Sequence, residues 1–377
     1  MQSLHNPVDT EDDFSEVDPS IGRILSRFIV WGVIVTVLAE LLLRTFFISP
    51  SRQHFDAELG WQYIPNSKIV YSSEGYAIHR LNELGMNDES LAEKNNQEKI
   101  LVLGDSFTEA LEVARDKNFV SQLDNRFDEI DFVNAGRGAY APPHQLIVIK
   151  RMAAHMQQAR NLLFLSHGDI HDLISLPLDI TQTPEGVISF LVPVNEGKDA
   201  IKDKFRVILH NSALATYIMR RYHREIKKFI RFVASPCIWK CQSRGSMNAQ
   251  PKQGAIEKAS IASDHKKEKD MLTYIFNKLE TTAPTLIFYI PNVIYKTQGN
   301  AAISDYSLKE LGIIEAAARS SGLPFYDLSQ QFFNDYKKTG FAAFGFSNTQ
   351  VGGEGHLNSH GHQVVATYVE SVLKSTQ

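Results

Sequence analysis

The chain has 377 residues, of which 43% are hydrophobic and 22% are charged, and its formal net charge is −4. This balance predicts a globular protein with one large core and additional segments. Lysine and arginine are not in excess and no nucleic-acid-binding motif is present, so nucleic acid is excluded as an expected partner. The only cysteines, Cys237 and Cys241, do not form a zinc-binding set. We therefore predict no structural metal and no cofactor, while a local disulfide and two free thiols both remain open.

The N-terminal part of the chain predicts a disordered tail at residues 1–27 and a membrane-spanning helix at 28–49. The apolar run has about the ~20 residues that cross a bilayer. Glu40 and Arg44 interrupt it, but they are four apart and can pair on one helix face. The run starts too late for a cleaved signal peptide and lacks a small-residue cleavage pattern. An amphipathic core helix is the alternative, and it fits less well because the run is apolar nearly all round.

The next two segments predict a small β-rich collar at residues 50–95 and a larger domain at 96–377. The collar contains turn signals and short alternating runs. The larger domain alternates short apolar runs with longer amphipathic segments, which predicts parallel strands covered by helices and an α/β fold. The predicted strands are 99–103, 130–134, 161–166, 285–290 and 323–327, and the main predicted helices are 142–158, 264–281, 307–320 and 360–374.

The stretch 187–263 does not follow this alternation, and we interpret it as a helical and loop insertion. It includes a basic amphipathic segment at 212–228. One interpretation of this segment is a lid or a helix on the membrane surface, and the other is a solvated helix packed on the domain.

A candidate nucleophile follows the first predicted strand of the larger domain. The apolar run 100–103 ends in the sequence Gly-Asp-Ser, which is typical of a buried strand that turns into a helix. The hydroxyl of Ser106 then lies near the first free N–H groups of the helix, where it can attack a carbonyl carbon. The alternative interpretation of Ser106 is a helix N-cap. Gly138 and Asp169 also follow predicted strands, so we expect all three residues at one edge of the sheet.

Near the end of the chain, His356 and Glu354 supply the other chemical types of a Ser-His-acid triad. Such triads are defined by geometry and not by order along the chain. His356 is the candidate base that activates the serine, and Glu354 is the candidate acid that orients the imidazole.

A second group of histidines and acids suggests a metal site, which we do not predict. His167, Asp169 and His171 alternate along a stretch that is followed by Asp172, and such side chains bind zinc or iron. No further ligand lies at metal spacing. Two histidines that open the last helix are interpreted as surface or capping residues without an assigned role: His360 and His362.

Three sequence blocks resemble those of the SGNH (GDSL-type) hydrolase superfamily. They are the Gly-Asp-Ser block ending at Ser106, a glycine block containing Gly138, and His356 with Gly361 behind it. The likeness covers the larger domain and, weakly, the collar. It implies a flavodoxin-like three-layer α/β/α fold with a mostly parallel five-stranded sheet. It also implies Ser106 as the nucleophile, His356 as the base and Glu354 as the acid, with the N–H groups of Ser106 and Gly138 in the oxyanion hole.

The chain departs from the superfamily at two positions. Asp169 stands where the superfamily has an asparagine that donates to the oxyanion, and an ionised carboxylate cannot donate. Either burial protonates Asp169, or His167 donates instead, or the protein is a weak or inactive relative. Glu354 replaces the aspartate of an Asp-Gly-His pattern that resembles some membrane-anchored members.

The resemblance implies a serine hydrolase of acyl esters, in particular of O-acetyl groups on cell-surface polysaccharide. Its substrate would be an acylated carbohydrate or another small ester. The expected location is the bacterial inner membrane, with a single span and the catalytic domain in the periplasm. The alternatives are an O-acyltransferase, which passes the acyl group to a sugar hydroxyl, and a non-catalytic scaffold of a polysaccharide assembly complex.

Overall fold

The computed structural model describes residues 19–47, 53–56, 58–94, 98–175, 179–182, 188–191, 212–218, 222, 257–296, 299–348 and 353–376. Residues 1–18, both cysteines and most of the 187–263 insertion lie outside these ranges. The predicted disordered tail, the cysteine pair and most of the predicted insertion therefore fall outside the described residues.

The described strands and helices follow the predicted order, with several additional short strands. The strands are β1 (Gln53–Asp56), β2 (Gly60–Tyr63), β3 (Lys68–Tyr71), β4 (Ala77–Arg80), β5 (Glu98–Leu103), β6 (Ile130–Asn134), β7 (Arg160–Ser166), β8 (Asp179–Gln182), β9 (Ile188–Leu191), β10 (Thr285–Ile290), β11 (Val293–Tyr295), β12 (Ala301–Ile303) and β13 (Phe325–Asp327). The helices are α1 (Pro19–Phe46), α2 (Ser106–Glu109), α3 (Phe119–Asp124), α4 (Pro142–Met152), α5 (Asp169–Ser175), α6 (Glu257–Glu280), α7 (Asp305–Ser321), α8 (Ser329–Thr339) and α9 (Ser359–Ser375). Residues 213–218 are also helical.

The first helix is long and apolar enough to cross a membrane. Its segment Gly22–Phe46 has a mean hydropathy of 2.0 and is 0% buried within the protein. A core helix of a soluble domain would be largely buried. The helix begins at Pro19 and not at residue 28, because Ile24 and Leu25 continue the apolar sequence towards the N-terminus.

Two antiparallel hairpins, β1–β2 and β3–β4, form the predicted collar. Both pack on the larger domain. Arg151 of α4 donates to both carboxylate oxygens of Asp56, at 2.9 and 2.8 Å. His79 of β4 is buried, and its Nε2 lies 3.0 Å from the carbonyl oxygen of Leu111. The collar is thus fixed against the domain by polar contacts from both hairpins.

Five parallel strands form the central sheet in the order β13-β10-β7-β5-β6. Renumbered from β5, this is the flavodoxin-like order 2-1-3-4-5. Alternate residues of β5 face opposite layers. Leu101 and Leu103 pack in the core with α4, α6 and α7, whereas Ile100 and Val102 pack in the core with α3, α8 and α9. The predicted three-layer α/β/α fold with a parallel five-stranded sheet is confirmed.

The sheet order sets the place of a reactive site. β5 and β7 are neighbours, and both end at the same edge because the strands are parallel. Ser106 follows β5 and Asp169 follows β7 at this edge.

The end of one helix differs from the prediction. Helix α4 ends at Met152 and not at residue 158. The N–H groups of His155 and Met156 both bond to the Met152 carbonyl, which closes the helix in a tight turn.

A buried lysine joins the end of the collar to the larger domain. The Lys94 side chain is 2% exposed, and its Nζ lies 2.6 Å from Asp124 Oδ2 and 3.6 Å from Asp88 Oδ1. It also donates to the carbonyl oxygen of Phe132 at 2.7 Å. The ammonium group therefore compensates two carboxylates of low exposure.

We expect Lys94→Met to lower the free energy of unfolding by about 3 kcal/mol, because it leaves these carboxylates without their cation. Lys117→Met is the matched control. Lys117 pairs with Asp116 at 3.2 Å, but their side chains are 58% and 65% exposed, so its loss should cost less than about 0.5 kcal/mol. Chemical unfolding of the detergent-solubilised protein measures both values. Equal effects of the two substitutions would contradict the role given to Lys94.

Candidate active site

Ser106 is the first residue of α2, directly after the turn that follows β5. A Cβ at Gly104 would collide with the Thr108 side chain, so only glycine allows this close turn. The Asp105 side chain holds the turn from both sides, since Oδ1 accepts from the Phe107 N–H at 2.9 Å and Oδ2 accepts from the Ser166 hydroxyl at 2.6 Å. The Ser106 hydroxyl is thereby presented at the sheet edge.

His356 lies next to this serine although 250 residues separate them. Its Nε2 is 2.8 Å from Ser106 Oγ. The imidazole also packs against the Phe107 ring, with a centroid distance of 4.9 Å. The structure thus brings the predicted nucleophile and the predicted base into hydrogen-bonding contact.

The carboxylate that faces the other side of this histidine belongs to Glu74. Its Oε2 lies 2.9 Å from His356 Nδ1 and also accepts from the backbone N–H of His356, at 2.9 Å. Glu74 lies in the turn between β3 and β4 of the collar. Glu354 is exposed, and no contact between it and His356 is found among the described residues. The structure therefore brings Glu74, and not Glu354, into contact with the imidazole of His356.

The physical reason for this arrangement lies in two glycines. Gly355 has a φ of +99°, and a Cβ there would lie 2.7 Å from Glu74 Oε2. A Cβ at Gly75 would collide with the Glu112 carbonyl. Asn348 fixes the collar turn by accepting from the Gly75 N–H at 2.8 Å and donating to the Gly75 carbonyl at 2.8 Å. Gly355, directly before His356, was the one signal in the sequence that another segment of the chain packs closely against this position.

A second carboxylate, missed by the sequence analysis, lies beside the same imidazole nitrogen. Glu112 Oε1 is 3.6 Å from His356 Nδ1, and the Glu112 side chain is 3% exposed. Its Oε2 is buried and makes no hydrogen bond to any residue that the structure describes. Burial raises the pKa of Glu112 to about 7, against the charge of His356, which lowers it.

The acids around His356 stabilise its charged form. Burial alone would lower the pKa of His356, but the hydrogen bond with Glu74 and the charges of Glu112, Glu74 and Asp105 raise it to about 9. The same hydrogen bond to His356 lowers the pKa of Glu74. The surrounding acids therefore favour the protonated imidazole at neutral pH, and the neutral base form increases as the pH rises.

The N–H of Gly138, predicted to bind an oxyanion, already has a partner. It donates to Glu109 Oε2 at 2.8 Å, while Glu109 Oε1 pairs with Arg137 at 2.7 Å. Arg137 in turn lies over the Tyr63 ring of the collar, 3.3 Å from its centroid. A Cβ at Gly138 would be 3.7 Å from the Cβ of Ser106, so this glycine does adjoin the nucleophile. The Glu109 carboxylate therefore occupies the Gly138 N–H, which the sequence predicted to be available to an oxyanion.

Asp169 is buried at the end of β7 and accepts from the backbone N–H of Ser166, at 2.7 Å. Its described contacts do not include one with Ser106. Burial and the neighbouring charge of Asp105 raise the pKa of Asp169 well above the usual range, which favours a neutral acid. His167 packs edge-on against Phe107, and burial lowers its pKa to about 4.

The remaining histidines of the sequence analysis have separate contacts. His171 is exposed. His360 Nε2 lies 2.5 Å from Asp335, and His362 is buried and stacked on Phe119. Among the described residues no group of three or more His, Cys, Asp or Glu side chains is placed to hold a metal ion.

Comparison with solved structures finds lipolytic proteins of the G-D-S-L family and esterases, the kind of protein that the sequence blocks resemble. A G-D-S-L family lipolytic protein from Veillonella parvula has 12% identity and a TM-score of 0.38, over 74% of this chain and 98% of its own. The acetyl xylan esterase AlAXEase has 13% identity and a TM-score of 0.40, over 73% and 98%. The esterase EstA from Pseudoalteromonas sp. has 12% identity and a TM-score of 0.37, over 74% and 98%. No family model and no curated protein matches the chain.

The second carboxylate leads to a prediction about pH. Only the neutral imidazole accepts the serine proton, so the reaction of Ser106 with a fluorophosphonate should rise as the pH rises through the His356 pKa, about 9. Glu112→Gln keeps the shape of the side chain and removes a charge that stabilises the imidazolium. We therefore expect the pH at the midpoint of this dependence to fall by about 1 to 2 pH units.

Labelling rates between pH 6 and 10 provide the measurement. Glu354→Gln is the matched control, because Glu354 is exposed and should leave the midpoint unchanged. A native midpoint near the ordinary histidine value of about 6.5 would contradict this account of the electrostatics.

Proposed function

We propose that the protein is a serine ester hydrolase, with Ser106 as the nucleophile, His356 as the base and Glu74 as the acid that orients the base. The observation that carries the proposal is the continuous line of two hydrogen-bonding contacts, 2.8 Å from Ser106 Oγ to His356 Nε2 and 2.9 Å from His356 Nδ1 to Glu74. A carboxylate at Nδ1 fixes the tautomer in which Nε2 can accept a proton.

The reaction proceeds in two acyl transfers. As Ser106 Oγ attacks the ester carbonyl carbon, its proton moves to Nε2 of His356, and Glu74 stabilises the resulting imidazolium. The imidazolium then gives this proton to the alcohol oxygen as the bond between carbonyl carbon and alcohol oxygen breaks. Water repeats the sequence with the same base and releases the acid from Ser106 Oγ. If a sugar hydroxyl replaces water, the same residues perform an O-acyl transfer.

The oxyanion of each tetrahedral intermediate needs donors near Ser106. The Ser106 N–H is at the first position of α2, where helix N–H groups lack intrahelical partners. The Gly138 N–H becomes a second donor when Glu109 releases it. We do not assign a donor role to Asp169, whose carboxyl group is bonded to the Ser166 N–H.

The substrate and location follow from the sequence resemblance and from α1. We propose an O-acetyl ester of a cell-surface polysaccharide as the substrate. We also propose that α1 anchors the chain in the inner membrane with the enzyme domain in the periplasm. The length and apolar sequence of Gly22–Phe46 support the anchor.

A binding or scaffold protein is the second candidate function, and a specific observation favours it. Glu109 occupies the Gly138 N–H, and a negative charge beside a developing oxyanion would oppose catalysis. A protein of this kind would keep the cleft and the Ser106–His356 contact without turnover.

The experiment that separates the two functions is labelling with a fluorophosphonate together with hydrolysis of a short-chain aryl ester at pH 9. We expect the native protein to be labelled and active, and Ser106→Ala to lose both by at least about 10³-fold. Ser320→Ala is the control, since the Ser320 hydroxyl is exposed and donates to the Ala316 carbonyl of its own helix, far along the chain from the residues of the site. If the native protein neither labels nor hydrolyses at this pH, the scaffold function is correct.

A further inference from the structure

The C-terminal end of the membrane helix is bonded to the collar turn that supplies Glu74. The Ser72 hydroxyl donates to the Phe47 carbonyl at 2.5 Å, and the Tyr76 hydroxyl donates to the Phe46 carbonyl at 2.8 Å. Carbonyls at the end of a helix have no intrahelical partner, so these two side chains cap it. Ser72 and Tyr76 are each two residues from Glu74.

These contacts place the nucleophile close to the end of α1. Two residues of chain span at most about 7 Å, so the Phe47 carbonyl and the Ser106 hydroxyl lie within about 25 Å of each other through Ser72, Glu74 and His356. The 25 residues of Gly22–Phe46 measure about 37 Å, somewhat more than the ~30 Å of hydrocarbon in a bilayer. With the hydrocarbon centred on this segment, a few ångströms of helix extend beyond it at each end, which puts the last turn of α1 at the level of the lipid headgroups.

A second attachment involves the side of α1. Both carboxylate oxygens of Glu40 accept hydrogen bonds from the start of the helical residues 213–218, from the Ser212 hydroxyl and from the N–H groups of Ala213 and Leu214, each at 2.9 Å. Glu40 lies about 9 Å before Phe46 along the helix axis. The insertion thus meets α1 near the edge of the hydrocarbon.

The residues that follow this attachment suit a membrane surface. Tyr217, Ile218 and Tyr222 are exposed, and tyrosine is a residue type that prefers the membrane–water interface. The sequence beside them is basic, with Arg220, Arg221, Arg224, Lys227 and Lys228. Such a combination binds anionic headgroups.

We infer that the active site is held at a fixed, short height above the bilayer and takes its ester from a molecule that is itself anchored in that bilayer. Two attachments, at the end and at the side of α1, restrict the orientation of the domain more than a single flexible linker would. The substrate class is therefore a lipid-linked acyl ester. A polymer free in solution is the alternative that the experiment tests. This inference rests on the proposed ester hydrolysis and on the proposed membrane anchor.

The experiment uses the full chain in vesicles of phosphatidylcholine and phosphatidylglycerol. The probe is a fluorogenic acetate ester, offered in solution or attached to a phospholipid headgroup by a spacer of about 20 Å or about 100 Å. A site at fixed short height should prefer the short spacer by about tenfold, because effective concentration falls with roughly the 3/2 power of spacer length. The lipid-linked ester should also react faster than the soluble one at equal bulk concentration.

The matched variant frees the domain from α1. It combines Ser72→Ala and Tyr76→Phe with Glu40→Ala, which removes the attachment to residues 212–214, and with a flexible Gly/Ser insertion after residue 50. Its rates are divided by its rate on the soluble ester. We expect the preference for the short spacer to disappear in this variant. If the native protein hydrolyses the esters on the short and the long spacer at equal rates, the inference is overturned, whatever the result for the variant.

The outcome for the soluble ester separates the two proposals. Hydrolysis of the soluble ester that depends on Ser106, without preference for the lipid-linked ester, overturns the inference and leaves the proposed function intact. Absence of hydrolysis that depends on Ser106 with every probe overturns the proposed function and the inference with it.

Discussion

The hydrogen bond between Glu74 and His356 is the interaction on which the rest of the site depends, because together with the contact between His356 and Ser106 it joins three separate parts of the chain. Glu74 is in the collar, His356 precedes the last helix, and the partner of His356 is Ser106 at the end of β5. Gly75 and Gly355 leave the space that this contact requires. The collar is therefore part of the reactive site and not an accessory to the α/β domain, and its turn also caps the membrane helix.

The carboxylates that surround His356 determine the electrostatics of the site. Glu74 and Glu112 both lie within 3.6 Å of one imidazole nitrogen, and together with Asp105 they favour the imidazolium. On the other side of the nucleophile, Glu109 is held by Arg137 and bonds to the Gly138 N–H. The site is thus rich in carboxylates in its resting form. The proposed hydrolysis requires two changes in it, which are loss of the proton from His356 and release of the Gly138 N–H by Glu109.

The sequence was sufficient for those features that depend on local pattern. The run before Gly104 identifies a buried strand, and the alternation of short and long apolar segments gives the parallel sheet and so the edge at which Ser106 lies. Glu74 could not be predicted, because it lies 282 residues before His356 and its contact depends on how the collar packs. Glu354 was chosen because it stands two residues before His356, at the acid position of an Asp-Gly-His pattern. The glycines on either side of Glu354, Gly353 and Gly355, both have positive φ. The backbone turns at both, so the Glu354 side chain does not reach the His356 imidazole although only one residue separates the two.

The measurement that tests this account most directly is kcat/KM for an acyl ester with Glu74→Gln and with Glu354→Gln, each compared with the native protein at pH 9. Glutamine keeps the shape of the side chain, so a folded Glu74→Gln protein loses only the charge that orients and stabilises the imidazolium. We expect it to lower kcat/KM by about 10³-fold or more, chiefly through kcat. Glu354→Gln should change kcat/KM by less than about twofold, because an exposed side chain without contact to His356 contributes little. A large loss with Glu354→Gln and a small one with Glu74→Gln would contradict the assignment of Glu74 as the orienting acid.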